Sequence, residues 1–262
     1  MKASAWSLLL ILGLAATVAL RADDNPAPAS TFDVVFIGDS ITYGVGVPNR
    51  DTQAAPVIAA QDLQKQLGGN AAVYMSNQGQ NGHTTVDFLP GGGDFSGVEA
   101  AAKGLVAGHP GQLVFSIMLG TNDSANRGPN GSPVSAVDYA HNLEQIINKL
   151  LAEFPDGKFV INHPTWYSPN THNGSDYEGD SAANRLKSYF PAIDLLVADY
   201  ASSHPNHVYV GDTQAYDYFA SHQEELNGEN GQKGTFYLHP NVRGAQSLGG
   251  FWAAALADKL NP

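Results

Sequence analysis

A doubly wound α/β sandwich on about five parallel strands is the fold class that this 262-residue chain predicts. Three observations lead there. Short apolar runs rich in β-branched and aromatic residues alternate with segments of helical periodicity. The third run is apolar almost throughout, as a central parallel strand covered on both faces must be. Small polar clusters follow the runs directly, and in such sheets the site lies outside the carboxyl ends of the strands.

The chain opens Met1-Lys2, passes through an apolar stretch from Trp6 to Leu20, and reaches Arg21-Ala22 before Asp23-Asp24. The stretch is shorter than the roughly 20 residues that span a bilayer, so residues 1–22 read as a secretory signal rather than an anchor. Leu20 is a poor small residue for the cleavage site, and the absence of cysteine excludes a lipoprotein attachment. Residues 23–30 are polar and proline-bearing, a disordered lead. Residues 31–262 are expected to form one domain in the periplasm or outside the cell, stabilised by packing without disulfides.

Within it, Phe32 to Ile37 reads as the first strand and stops at Gly38-Asp39-Ser40. Thr52 to Leu67 has helical spacing and ends at Gly68-Gly69. Ala72 to Ser76 is the second strand, and a helix runs near Val98 to Ala107. Gln112 to Leu119 is the third strand. Ser132-Pro133 or Ser135 caps a helix through Phe154, and Lys158 to Asn162 is the fourth strand. From His163 to Asp180 the chain is irregular and aromatic, which suits a substrate-facing loop. A helix from Ser181 to about Ser202, a strand at Val208 to Val210, a helix at Gln214 to Leu226, a Gly/Asn-rich turn and a helix from Gly244 to Leu260 complete the domain.

The formal charge is -12, and losing Lys2 and Arg21 with the leader makes it two units more negative. Such a surface repels phosphates and anionic lipid, so neither nucleic acid nor stable membrane association is expected after signal removal. No Gly-x-Gly-x-x-Gly follows the first strand and no Gly-Lys-Ser/Thr loop occurs, which argues against a nucleotide-binding sandwich.

Four clusters carry chemistry: Gly38-Asp39-Ser40, Asn77-Gln78-Gly79, Gly120-Thr121-Asn122-Asp123 and His239-Pro240-Asn241. A serine hydroxyl attacks only when an imidazole can take its proton. Oxyanion charge is stabilised by donors already aimed at it. Ser40 and His239 therefore stand as nucleophile and base, with the Ser40 and Gly79 backbone N–H groups and the Asn122 amide as oxyanion donors. Singly, each cluster is an ordinary turn or cap, and only the conjunction points to acyl transfer. Thr42 stands where the second glycine of a Gly-x-Ser-x-Gly elbow belongs.

In these clusters the chain resembles the SGNH/GDSL hydrolase superfamily of secreted or periplasmic esterases and lipases, over essentially the whole domain. The resemblance implies a flavodoxin-like three-layer sandwich, the site roles just given, and no metal or organic cofactor. The expected activity is removal of short acyl groups, acetyl from carbohydrate above all, from a small-molecule or glycan ester. Lipase, lysophospholipase or thioesterase action on longer chains is the alternative, and a non-catalytic carbohydrate-binding protein on the same fold is a third reading.

One position departs from the resembled family, in which an aspartate usually stands three residues before the histidine; here it is Phe236. A Ser-His dyad with a backbone carbonyl near Phe236 is the expected replacement, with Asp212, Asp217 or Glu229 as candidate carboxylates. Asp212 directly follows the fifth strand, although aspartate there commonly caps the next helix. His83, His163, His172, His204 and His207, with Asp176 and Asp180, lack metal-ligand spacing, and no metal site is expected. Trp166, Tyr167 and Tyr177 in the long loop either meet substrate or pin the loop. Three Asn-x-Ser sequons, at Asn122, Asn130 and Asn173, read as coincidental, since modification of Asn122 would block the oxyanion site.

Overall fold

The computed structural model describes residues 30–68 and 71–260, so the expected signal and all of the lead except Ser30 lie outside the described residues. β1 (Ser30–Gly38) is followed by two one-turn helices, α1 (Ser40–Tyr43) and α2 (Arg50–Gln53), and by α3 (Ala55–Leu67). Next come β2 (Ala71–Gly79), α4 (Gly93–Gly108), β3 (Gln112–Met118), α5 (Ala136–Glu153) and β4 (Lys158–Ile161). The long loop carries a small hairpin, β5 (Thr171–His172) and β6 (Ser175–Asp176), before α6 (Gly179–Ser203). β7 (Val208–Val210), α7 (Ala215–Ser221), a 3₁₀ turn at Gln223–Glu225, the hairpin β8 (Leu226–Gly231) and β9 (Gly234–Pro240), and α8 (Val242–Leu260) complete the chain.

Five strands form one parallel sheet in the order β2-β1-β3-β4-β7, flanked by helices in a three-layer α/β fold. The reversal of strand order beside β1 makes its carboxyl end a switch point, where an open sheet leaves a crevice. Val34 to Ile37 on β1 and Val114, Phe115 and Ile117 on β3 are completely buried, so both central strands are covered on both faces. Phe36 meets Trp252 of α8 with ring centroids 5.9 Å apart. Burying a phenylalanine of this kind contributes about 1.5–3 kcal/mol.

Local signals explain the helix boundaries. Ser135, rather than Ser132-Pro133, caps α5: its Oγ accepts from Asp138 N at 3.1 Å and donates to the Asp138 carboxylate at 2.7 Å. The first expected helix is split, because Ala54 leaves helical geometry and Pro56 starts a new helix behind it. The helix expected through Leu226 ends at Ser221. Beyond it the Gly/Asn-rich stretch forms the β8–β9 hairpin around Gln232 and Lys233, with Glu229 paired to Phe236 in its ladder.

Candidate active site

The turn out of β1 places Ser40. Asp39 caps α1 by accepting Ile41 N at 2.9 Å, which puts Ser40 on the first turn with its N–H meeting no acceptor among the described residues. From the far end of the chain, β9 delivers His239. Its Nε2 lies 2.8 Å from Ser40 Oγ, and both residues are buried.

Glu229 orients the imidazole. Its Oε1 lies 2.5 Å from His239 Nδ1, which gives a Ser40–His239–Glu229 line and corrects the expected dyad. The ladder explains how. Phe236 occupies the position three before His239, and Glu229 is its cross-strand partner, so the carboxylate missing from one strand comes from the other. A bulge between Leu226 and Gly228 re-aims the strand, and Asn227 Nδ2 holds it by donating to the His239 and Pro240 carbonyls at 3.1 Å and to Gly46 O at 3.2 Å. Burial pushes the Glu229 carboxyl up, but the hydrogen bond from His239 and the charges of His239 and His172 more than offset this, so it titrates below its ordinary value.

Asp212 does not reach this line. Its carboxylate is spent on the turn that leads into α7, accepting Gln214 N at 2.8 Å and Ala215 N at 3.2 Å, and burial raises its pKa. An aspartate placed after a strand has here taken its commonest local role.

The oxyanion assignment needs a second correction. Gly79 N–H donates to Asn77 Oδ1 at 2.9 Å, and a Cβ at Gly79 would stand 2.2 Å from Tyr43 N, so this glycine serves close packing of β2 on α1. Gly82 lines the cavity instead. It adopts φ +80°, a conformation suited to glycine, and its N–H meets no acceptor among the described residues. Nothing in the spacing distinguished the two glycines of Asn77-Gln78-Gly79-Gln80-Asn81-Gly82; only the turn beyond β2 does.

Asn122 is placed as expected, on the loop after β3, and its carboxamide is held on two sides. Oδ1 accepts the Tyr177 hydroxyl at 2.7 Å and Nδ2 donates to His83 O at 2.9 Å, leaving one amide hydrogen for the cavity. Beside it, Asp123 accepts Thr85 N at 3.0 Å and the Thr85 hydroxyl, tying the loop after β3 to the one after β2. Burial pushes the carboxyl of Asp123 up to about 7, against the Thr85 hydrogen bonds, and that of Asp39 up to about 6, against the Ile41 hydrogen bond and the nearby His239.

Ser40, Gly82, Asn122, Tyr177, His172 and His239 face one cavity of about 200 Å³. Of the three loop aromatics only Tyr177 reaches it. Tyr167 is buried with its hydroxyl 2.8 Å from Ser124 Oγ and its ring edge-on to Tyr177, and Trp166 packs on the core, so these two pin the loop. A larger groove of about 680 Å³ between α5 and α6 includes neither Ser40 nor His239.

A hydroxyl hydrogen-bonded to an imidazole, itself hydrogen-bonded to a carboxylate, is the arrangement of a serine hydrolase. Comparison with known proteins gives the family. A profile of the GDSL-like lipase/acylhydrolase family matches residues 36–246, and the chain belongs to that family as a carboxylic ester hydrolase. No curated protein sequence matches it. Among solved structures, a carbohydrate acetylesterase from Sinorhizobium meliloti is similar at 17% identity and TM-score 0.53, over 87% of this chain and 97% of that one. A putative GDSL-like lipase from Parabacteroides merdae is similar at 16% identity and TM-score 0.57, over 89% and 100%. The aryl esterase of M. smegmatis is similar at 19% identity and TM-score 0.54, over 87% and 97%. At these identities the likeness is one of fold.

Proposed function

We propose that this protein is a secreted serine esterase that removes short acyl groups, acetyl above all, from carbohydrate hydroxyls. The 2.8 Å contact between Ser40 Oγ and His239 Nε2, made in the wall of a small open cavity, carries the reading. Ser40 Oγ attacks the ester carbonyl while His239 Nε2 takes its proton, and Glu229 stabilises the imidazolium that forms. Oxyanion charge meets the Ser40 and Gly82 N–H groups and the free Asn122 amide hydrogen. The alkoxide leaves as alcohol with the proton from His239, which then draws a proton from water as that water attacks the acyl-serine.

The cavity volume supports the acyl size. About 200 Å³ is small beside the 300–1,000 Å³ of sites for drug-sized ligands, and it suits acetyl better than a long chain. Asn81, Asn173 and Ser175 add polar groups to its wall, as hydroxyl-rich leaving groups require. Secretion rests on the leader sequence alone.

Hydrolysis of p-nitrophenyl acetate and octanoate by the wild type and Ser40→Ala, followed by a panel of acetylated glycans, tests this reading. Acetate turnover should exceed octanoate turnover and fall by at least about 10³-fold in the variant. A preference for octanoate would point to lipase action, and equal rates for both proteins would end the serine mechanism.

A further inference from the structure

A second imidazole stands against the acid of the catalytic line. His172, at the tip of the β5–β6 hairpin, places Nε2 2.9 Å from Glu229 Oε2, the oxygen that His239 does not use. The carboxylate thus lies between two histidines on two separate hairpins. The rest of the His172 ring is fixed: Nδ1 lies 2.9 Å from Asn230 O, and the ring leans on Phe236 at 5.3 Å between centroids. A carbonyl only accepts, so Nδ1 carries a proton.

Nε2 is served differently. The Asn173 carboxamide lies 2.8 Å from it. That carboxamide donates to a neutral ring, and once Nε2 is protonated its single hydrogen is available to Glu229 Oε2, so both charge states of His172 have a partner. Other charges on these segments are paired among themselves, Asp176 with Arg127 and Glu178 with Lys233. Glu229 and, beyond it, His239 are therefore the groups that meet the charge of His172.

We propose that His172 is a positioning residue for the reaction: it anchors the outer oxygen of Glu229, and its protonation competes with that of His239 for the same carboxylate. The proposal rests on the Ser40–His239–Glu229 reading of the site. Its consequence is directional. With His172 protonated, part of the Glu229 charge is already neutralised and a like charge stands near His239, so the base holds its proton less well. Removing His172 frees the carboxylate for His239 alone and leaves it less firmly placed.

The test uses His172→Gln and His172→Asn in the full-length protein, with circular dichroism to establish folding. The rate of p-nitrophenyl acetate hydrolysis is followed between pH 5 and 9, and the His239 ring is titrated by NMR in the same proteins. Expected are a kcat lower by about 5- to 50-fold and an acid limb of kcat/KM moved to higher pH by half a unit or more. The His239 midpoint should move the same way, and in a Glu229→Gln background the His172 substitution should move neither. A folded variant that loses rate with limb and midpoint unmoved would show a merely structural contact and overturn the proposal, as would an unchanged rate. The NMR arm needs no turnover, so it stays decisive for the coupling even if Ser40→Ala shows that the esterase reading has failed.

Discussion

Glu229 shows how a role can pass between residues without a change of chemistry. The aspartate that usually precedes the histidine is Phe236 here, and the carboxylate stands across a ladder rung from it, reaching His239 Nδ1 at 2.5 Å. If it orients and stabilises the imidazolium, Glu229→Gln leaves the fold intact and lowers kcat by about 10²- to 10⁴-fold, the upper figure being that for the equivalent change in a serine-protease triad. Steady-state kinetics of the folded variant checks this; a loss below threefold would mean that His239 needs no carboxylate. At this scale the sequence was legible where a residue lies within a motif, as Ser40, Asn122 and His239 do. It was not legible where partners meet through tertiary contacts. Glu229 stood among three candidate acids, and the hairpin register that brings it to His239 is a tertiary pairing with no local signature. Gly79 and Gly82 stand in one polar cluster, and the Asn77 carboxamide that occupies the Gly79 N–H, with the turn beyond β2 that brings Gly82 to the cavity, decides between them.

Among the elements, those of the central sheet were the most readable, since a strand buried on both faces writes itself as a continuous apolar run. Gln112–Met118 is the clearest case. The β8–β9 hairpin was hidden because its first strand is polar and glycine-rich, with turn chemistry spread along its length: Asn227, Gly228, Asn230 and Gly231 all suit turns. The strands pair with each other outside the main sheet, and although β9 buries Phe236 and Leu238 on either side of the half-buried Tyr237, β8 beyond Leu226 has no apolar alternation to match it. Helix caps were readable in kind but not in target. Asp212 holds the first N–H groups of the turn into α7, and its removal is a test of element stability: Asp212→Ala should cost about 1 kcal/mol in denaturant unfolding while leaving kcat within twofold. A loss of turnover comparable with that of Glu229→Gln would return Asp212 to the site.

Across the whole molecule, the chain gathers its chemistry at the switch point of the sheet and holds it with buried carboxylates. This has a consequence for pH. Asp39 and Asp123 are raised to about 6 and about 7 in the folded protein, so the stability they contribute is complete below the ordinary aspartate range and is lost as pH rises through those values. Glu229 is lowered, so its contribution has the opposite sign, present above the ordinary glutamate range and lost as pH falls. The melting temperature should therefore decline between pH 5 and pH 8, and Asp123→Asn should flatten that decline. Calorimetry across this range checks it, and a melting temperature that rises over the interval would contradict the burial argument.

Ester hydrolysis at this site requires that Ser40 Oγ take the acyl group. Wild-type protein mixed with p-nitrophenyl acetate, quenched in acid and examined by peptide mass spectrometry, should carry one acetyl group on the peptide containing Ser40, and His239→Ala should carry none on the same timescale. Acetyl on any other residue, or ester turnover at the wild-type rate in Ser40→Ala, would contradict it.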